Sequence, residues 1–180
     1  MDQSTERVTL NAVFLQDILS LYRDKPDYYL PLAHITAEYD LSDPQSKIPI
    51  SVYNQMCAWI EENLGQANTR KVGRLIGKTA FDGMRAYGLI SDKPTPMEVM
   101  AALVKVAQQM IQDPRKRGWE IRQSSAKSLL MRRTQTFNGT LQFGLLETLV
   151  YKSNVFSPEV TYAKSIAEGD EYDEYLVSWK

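Results

Sequence analysis

Apolar positions along the first 114 residues recur mostly at helical spacing. Leu10, Phe14, Ile18 and Leu21 share one face of a predicted helix that Lys25-Pro26 ends. A second short helix is expected near 32–39, followed by a loop carrying Asp43-Pro44 and Ile48-Pro49. Ser51 is a suitable N-cap for a third helix whose stripe is Tyr53, Cys57, Ile60 and Leu64, with Gly65 as its stop. The next helix, about 69–87, carries Gly73, Gly77, Ala80, Met84 and Tyr87 on one face. Two glycines inside a helix cost about 1 kcal/mol each relative to alanine, which points to a close approach of another backbone. Pro96 suits a first helical position, and Val99, Leu103, Val106 and Met110 form the stripe of the helix it opens.

After Pro114 the period changes from helical to alternating. Residues 118–125 and 128–136 read as two strands of a hairpin, with Trp119 and Ile121 on one face of the first and Leu129, Met131, Arg133, Gln135 and Phe137 on one face of the second. Asn138 caps a helix over about 140–152 that buries Leu141, Leu145 and Leu149. Ser157-Pro158 releases the chain into a last hairpin that turns at Glu168-Gly169-Asp170 and ends on 175–179. The expected fold is α+β: a helical N-terminal layer, 1–114, packed on a four-stranded antiparallel sheet of ββαββ order, 115–180, together one domain.

Composition narrows the function classes. A net charge of −1 argues against broad electrostatic binding of nucleic acid or anionic membrane. One cysteine, Cys57, excludes an internal disulfide and a cysteine-based zinc site. The single histidine, His34, rules out a histidine-rich metal site and would have to serve any Ser-His-Asp triad, for which no Gly-x-Ser-x-Gly elbow is present. No apolar run approaches a membrane span, and the first residues alternate charged and apolar groups, so a cytoplasmic protein without signal peptide is expected. The acidic group at 168–174 lacks calcium-loop spacing and reads as a solvated hairpin. No catalytic constellation, metal site or cofactor motif emerges, and a non-enzymatic role is expected.

A helical layer over a twisted sheet can hold an apolar pocket. Met84 and Tyr87, three apart on one helix, and Trp119, Met131 and Phe143 from the sheet unit are the candidate ligand-binding residues, with Arg133 as a polar tip at the edge; the alternative is that all five apolar residues simply fill the core.

Residues 118–179 resemble the sensory half of the haem–nitric-oxide/oxygen-binding (H-NOX)-like superfamily, which includes the 4-vinyl-reductase-type domains. The matching pieces are Thr134-Gln135-Thr136-Phe137-Asn138-Gly139, the helix from Leu141 to Glu147, Ala167-Glu168-Gly169-Asp170, and Tyr175-Leu176-Val177-Ser178-Trp179. Upstream, Ile48-Pro49 through Gly73-Arg74-Leu75-Ile76-Gly77 resembles a bacterial family of about this length, related to the same superfamily. The resemblance implies a cytoplasmic sensory or regulatory domain binding a small apolar or amphipathic ligand. It does not extend to haem. Those proteins use a proximal histidine in the helical half and a Tyr-x-Ser-x-Arg motif, where this chain has Met131-Arg132-Arg133-Thr134-Gln135-Thr136. A haem-free sensor is the leading expectation. The alternative is an interaction or homodimerisation module that engages a signalling partner protein and has no small ligand.

Overall fold

The computed structural model describes residues 4–180. It is α+β, as the change of period predicts. The main sheet has the order β4-β5-β7-β6, antiparallel throughout. It is built from Trp119–Ser124 (β4), Ser128–Arg133 (β5), Glu159–Lys164 (β6) and Asp173–Ser178 (β7), with helix α6, Gly139–Lys152, between the hairpins. Before it come α1 (Val13–Tyr22), α2 (Pro26–Ile35), α3 (Ile50–Leu64), α4 (Gln66–Ala86) and α5 (Pro96–Met110).

The N-terminal part is not purely helical. Thr9–Asn11 (β1), Lys47–Pro49 (β2) and Ile111–Gln112 (β3) form a small sheet of order β2-β1-β3. Leu10 is therefore a strand residue, opposite Ile48 and Ile111, and not the first turn of a helix. Its partners lie far along the chain, so local periodicity could not reveal the pairing. The first helix ends at Tyr22, ahead of Lys25-Pro26, and Pro26 then opens α2 at the first helical position, where a missing N–H costs nothing. Ser51 is not a cap. Pro49 holds that position, and the first amide of α3, on Ile50, donates to the Val8 carbonyl at 3.0 Å. A tertiary acceptor replaces the local one.

Other local signals are realised. The Asn138 side chain accepts from the Leu141 amide at 2.9 Å, while its Nδ2 donates to Glu61 of α3, which ties the α6 cap to the helical layer. Thr95 caps α5 by accepting from the Glu98 amide at 3.3 Å, just ahead of Pro96. Gly169, at φ 96°, makes the left-handed step of the last hairpin, which a side chain would strain. Along β5, Leu129, Met131 and Arg133 face inward and pair with Val177, Tyr175 and Asp173 of β7.

Helix α4 lies against α6 with no side chain between them at the crossing. A β-carbon on Gly77 would sit 2.7 Å from the Leu145 carbonyl oxygen, and those on Gly73 and Gly144 would meet backbone of the facing helix still more closely. The rim of this contact is held by Arg70 and Arg74, which both reach Glu147. These paired helices, with α5, roof the inward face of the sheet.

Candidate functional site

Between that roof and the sheet lies a cavity of about 400 Å³. Its walls come from α1 (Phe14, Asp17), α3 (Tyr53), α4 (Ile76, Met84), α5 (Leu103, Ala107, Met110), β4 (Trp119), β5 (Arg133) and α6 (Leu141, Leu145). Phe137, just after β5, completes the wall. The sequence pattern placed four of these residues at a pocket: Met84, Tyr87, Trp119 and Arg133. Tyr87 lines its rim and is 84% exposed, because it lies just past the end of α4.

Two further candidates stand elsewhere. Met131 is fully buried on the inward face of β5, one strand step from Arg133, and does not line the cavity. Phe143 faces the other side of α6. Its ring lies 5.0 Å from that of Tyr162 and 6.3 Å from that of Tyr175, with the Arg70 guanidinium 4.2 Å above it. Two residues before Phe143, Leu141 lies roughly half a turn away around the helix and does reach the cavity.

Arg133 is the unusual member. It is 3% exposed and its guanidinium is held between aromatic faces, 4.2 Å from the Phe137 ring and 5.0 Å from that of Trp119. One Nη donates to Gln135 Oε1 at 3.0 Å, and its Nε–H has no acceptor. Gln135 passes the connection on, donating to Asp113 at 3.0 Å. That carboxylate is already paired with Arg117 at 2.7 Å. Among the described residues no carboxylate forms an ion pair with Arg133 directly. Burial pulls its pKa down to about 10, opposed by Tyr175, Tyr53 and Asp113, so the side chain is still charged at neutral pH. An unpaired charge among apolar walls is costly.

The second ionisable group is Asp17, on α1, which sequence reading did not single out. Burial raises its carboxyl to about 6. The only signal in the sequence is its place next to Ile18 as the one charged residue of this helix. Tyr53 stands within electrostatic reach of both, pushed well above its ordinary value by burial, with Asp17 adding to the rise and Arg133 opposing it. Cys57 is buried and its thiol is pushed far up by burial, so it is no nucleophile at neutral pH.

The overall shape has clear counterparts among solved structures. An H-NOX protein from K. algicida, in the unliganded Fe(II) state, is 16% identical over 95% of this chain and 97% of that one, with a TM-score of 0.64. A structure described as probing heme distortion in the H-NOX family gives 13% identity, 95% of each chain and a TM-score of 0.70. An H-NOX domain from Shewanella oneidensis gives 8%, covering 95% and 99%, with a TM-score of 0.68. The fold is H-NOX-like. No family model and no curated protein matches the sequence.

The donor set of this cavity does not suit an imidazole-ligated or thiolate-ligated haem. His34 is exposed on α2 and does not line the cavity, nor does Cys57. Among the described residues no group of three or more His, Cys, Asp or Glu could hold a metal ion. Among the described residues no helix is long and apolar enough to cross a membrane.

Proposed function

We propose that this protein is a non-enzymatic, cytoplasmic sensory or regulatory domain that binds a small apolar or amphipathic ligand, without haem, in the cavity between helices and sheet. The observation that carries the reading is the cavity itself: about 400 Å³ of mainly apolar space at the centre of an H-NOX-like fold, with one buried cation on its wall. This is the size and character of a small-molecule site, apolar walls with few polar groups. The walls carry no imidazole, thiolate or serine; their hydroxyl and carboxyl groups are those of Tyr53, Thr79, Tyr87 and Asp17. In this reading the ligand alters the packing of α1, α4 and α5, the elements around the mouth, and those helices present the signal.

The test is uptake of Nile red, a neutral apolar dye, and of hemin by the purified full chain. Saturable enhancement of Nile red fluorescence at one dye per chain, weakened in Leu103→Trp, is expected. Hemin is expected to wash out on gel filtration. A retained sharp Soret band would return the site to haem, and absence of saturable dye uptake would leave an interaction module in front.

A further inference from the structure

Arg133 is a buried cation on the wall of the cavity. Its position is set by the alternation of β5, which turns Leu129, Met131 and Arg133 inward together. Two of the three are ordinary core residues; the third introduces a full charge where solvent does not reach. Its plane is clamped by Phe137 and Trp119, and Gln135 holds one Nη, so the guanidinium is fixed in orientation. The Nε–H is left with nothing to donate to.

The neighbouring charge does not resolve this. Asp113 reaches Arg133 only through Gln135 and is committed to Arg117. Asp17 also lines the cavity, but the carboxylate that acts on Arg133 is Asp113. Arg133 is the only Lys or Arg on the cavity wall among the described residues. A cation that is preorganised, desolvated and short of one acceptor is a receptor for a single anionic group, and a carboxylate matches the fork of a guanidinium. The stretch of wall formed by Met84, Leu103, Ala107 and Leu145 offers only hydrocarbon, while Asn11, Asp17, Tyr53, Thr79 and Gln142 supply polar side chains elsewhere.

We propose, resting on the cavity-binding reading above, that the ligand is an amphipathic monocarboxylate whose head group accepts from Arg133 Nε and whose apolar body fills the space between α4, α5 and α6. A second negative charge on the head would find no second cation on the wall. A positive head would have to leave Arg133 unpaired and lie in the same cavity with it.

The experiment compares three probes of one chain length, dodecanoate, dodecan-1-ol and dodecylammonium, by calorimetry on the full chain and on Arg133→Met and Arg133→Gln. The wild type is expected to prefer dodecanoate over the alcohol by roughly ten- to a hundredfold, the equivalent of a charge-assisted hydrogen bond. Both variants are expected to lose that preference while keeping the alcohol. In case the variants fail to fold, the wild type supplies its own readout: dodecanoate, and not dodecan-1-ol, should shift the Arg133 Nε–H resonance in NMR spectra. Equal affinity for acid and alcohol, a preference for dodecylammonium, or an unmoved Nε–H resonance in the dodecanoate complex would overturn the assignment and leave the cavity reading standing. Failure of all three probes to bind would remove both.

Discussion

Gly73 and Gly144 are reciprocal notches. A β-carbon on Gly73 would run into the Leu141 carbonyl, three residues before Gly144, and one on Gly144 into the Arg70 carbonyl, three residues before Gly73. Each helix thus accepts the backbone of the other, and the pair lies close enough for α6 to reach both the roof and the sheet. The obstructing atoms are main chain, which cannot rotate away as a side chain can.

Alanine at either notch is therefore expected to destabilise despite its better helix propensity, by about 1–3 kcal/mol or more, as overpacking does. Gly83, in the same helix, has nothing within 4 Å of its would-be β-carbon. Gly83→Ala should raise stability by about 0.5–1 kcal/mol. Urea denaturation of Gly73→Ala, Gly144→Ala and Gly83→Ala checks all three, and a stabilised Gly73→Ala would mean that the helices separate easily.

Met131 and Met84 differ in what lies beside them. Met131 is surrounded by core, whereas Met84, also buried, has the cavity on one side. Met131→Ala is expected to cost about 2–5 kcal/mol and leave Nile red uptake unchanged. Met84→Ala is expected to cost less, because part of its surroundings is already empty, and to change dye uptake. The two midpoints in urea, read with dye titrations, decide it; equal costs with no change in uptake would argue that the cavity closes in solution.

Asp17 makes stability depend on pH. Its folded pKa, about 6, lies above its ordinary value of 3.8, so between these values the folded state holds the proton more tightly. Its contribution is complete below the lower value and is lost as pH rises through the upper one. Asp17→Asn should match the wild type near pH 4 and exceed it at pH 7, by about 1 kcal/mol once solvent screening of a partly exposed group is allowed for. Thermal melts of both proteins across this range are the check, and parallel curves would show that Asp17 is well solvated.

Much of the architecture was legible along the chain. The change of period after Pro114, the Asn138 cap, the Gly169 turn and the inward parity of Arg133 are local relations, set by dihedral preference and side-chain alternation over a few residues. Strand parity put Arg133 and Trp119 at a pocket, and the helical stripe of α4 put Met84 and Tyr87 there. Phe143 and Met131 also looked eligible, because a pattern shows which face is buried and not whether that face meets other side chains or empty space.

The rest depended on distant parts of the chain meeting. Leu10 reads as helix until Ile48 and Ile111 arrive beside it, and Ser51 reads as a cap until the Val8 carbonyl takes over the helix start. Gly144 has no meaning until α4 crosses it. Asp17 becomes a cavity group only when α1 folds across the mouth, more than a hundred residues from Arg133. Sequence by itself determined the elements outside the small N-terminal sheet, most of their buried faces and one inward-facing cation. Tertiary structure alone decided where the interior stays unfilled and that this cation has no carboxylate paired with it among the described residues, because both follow from the distances between segments that share no local pattern.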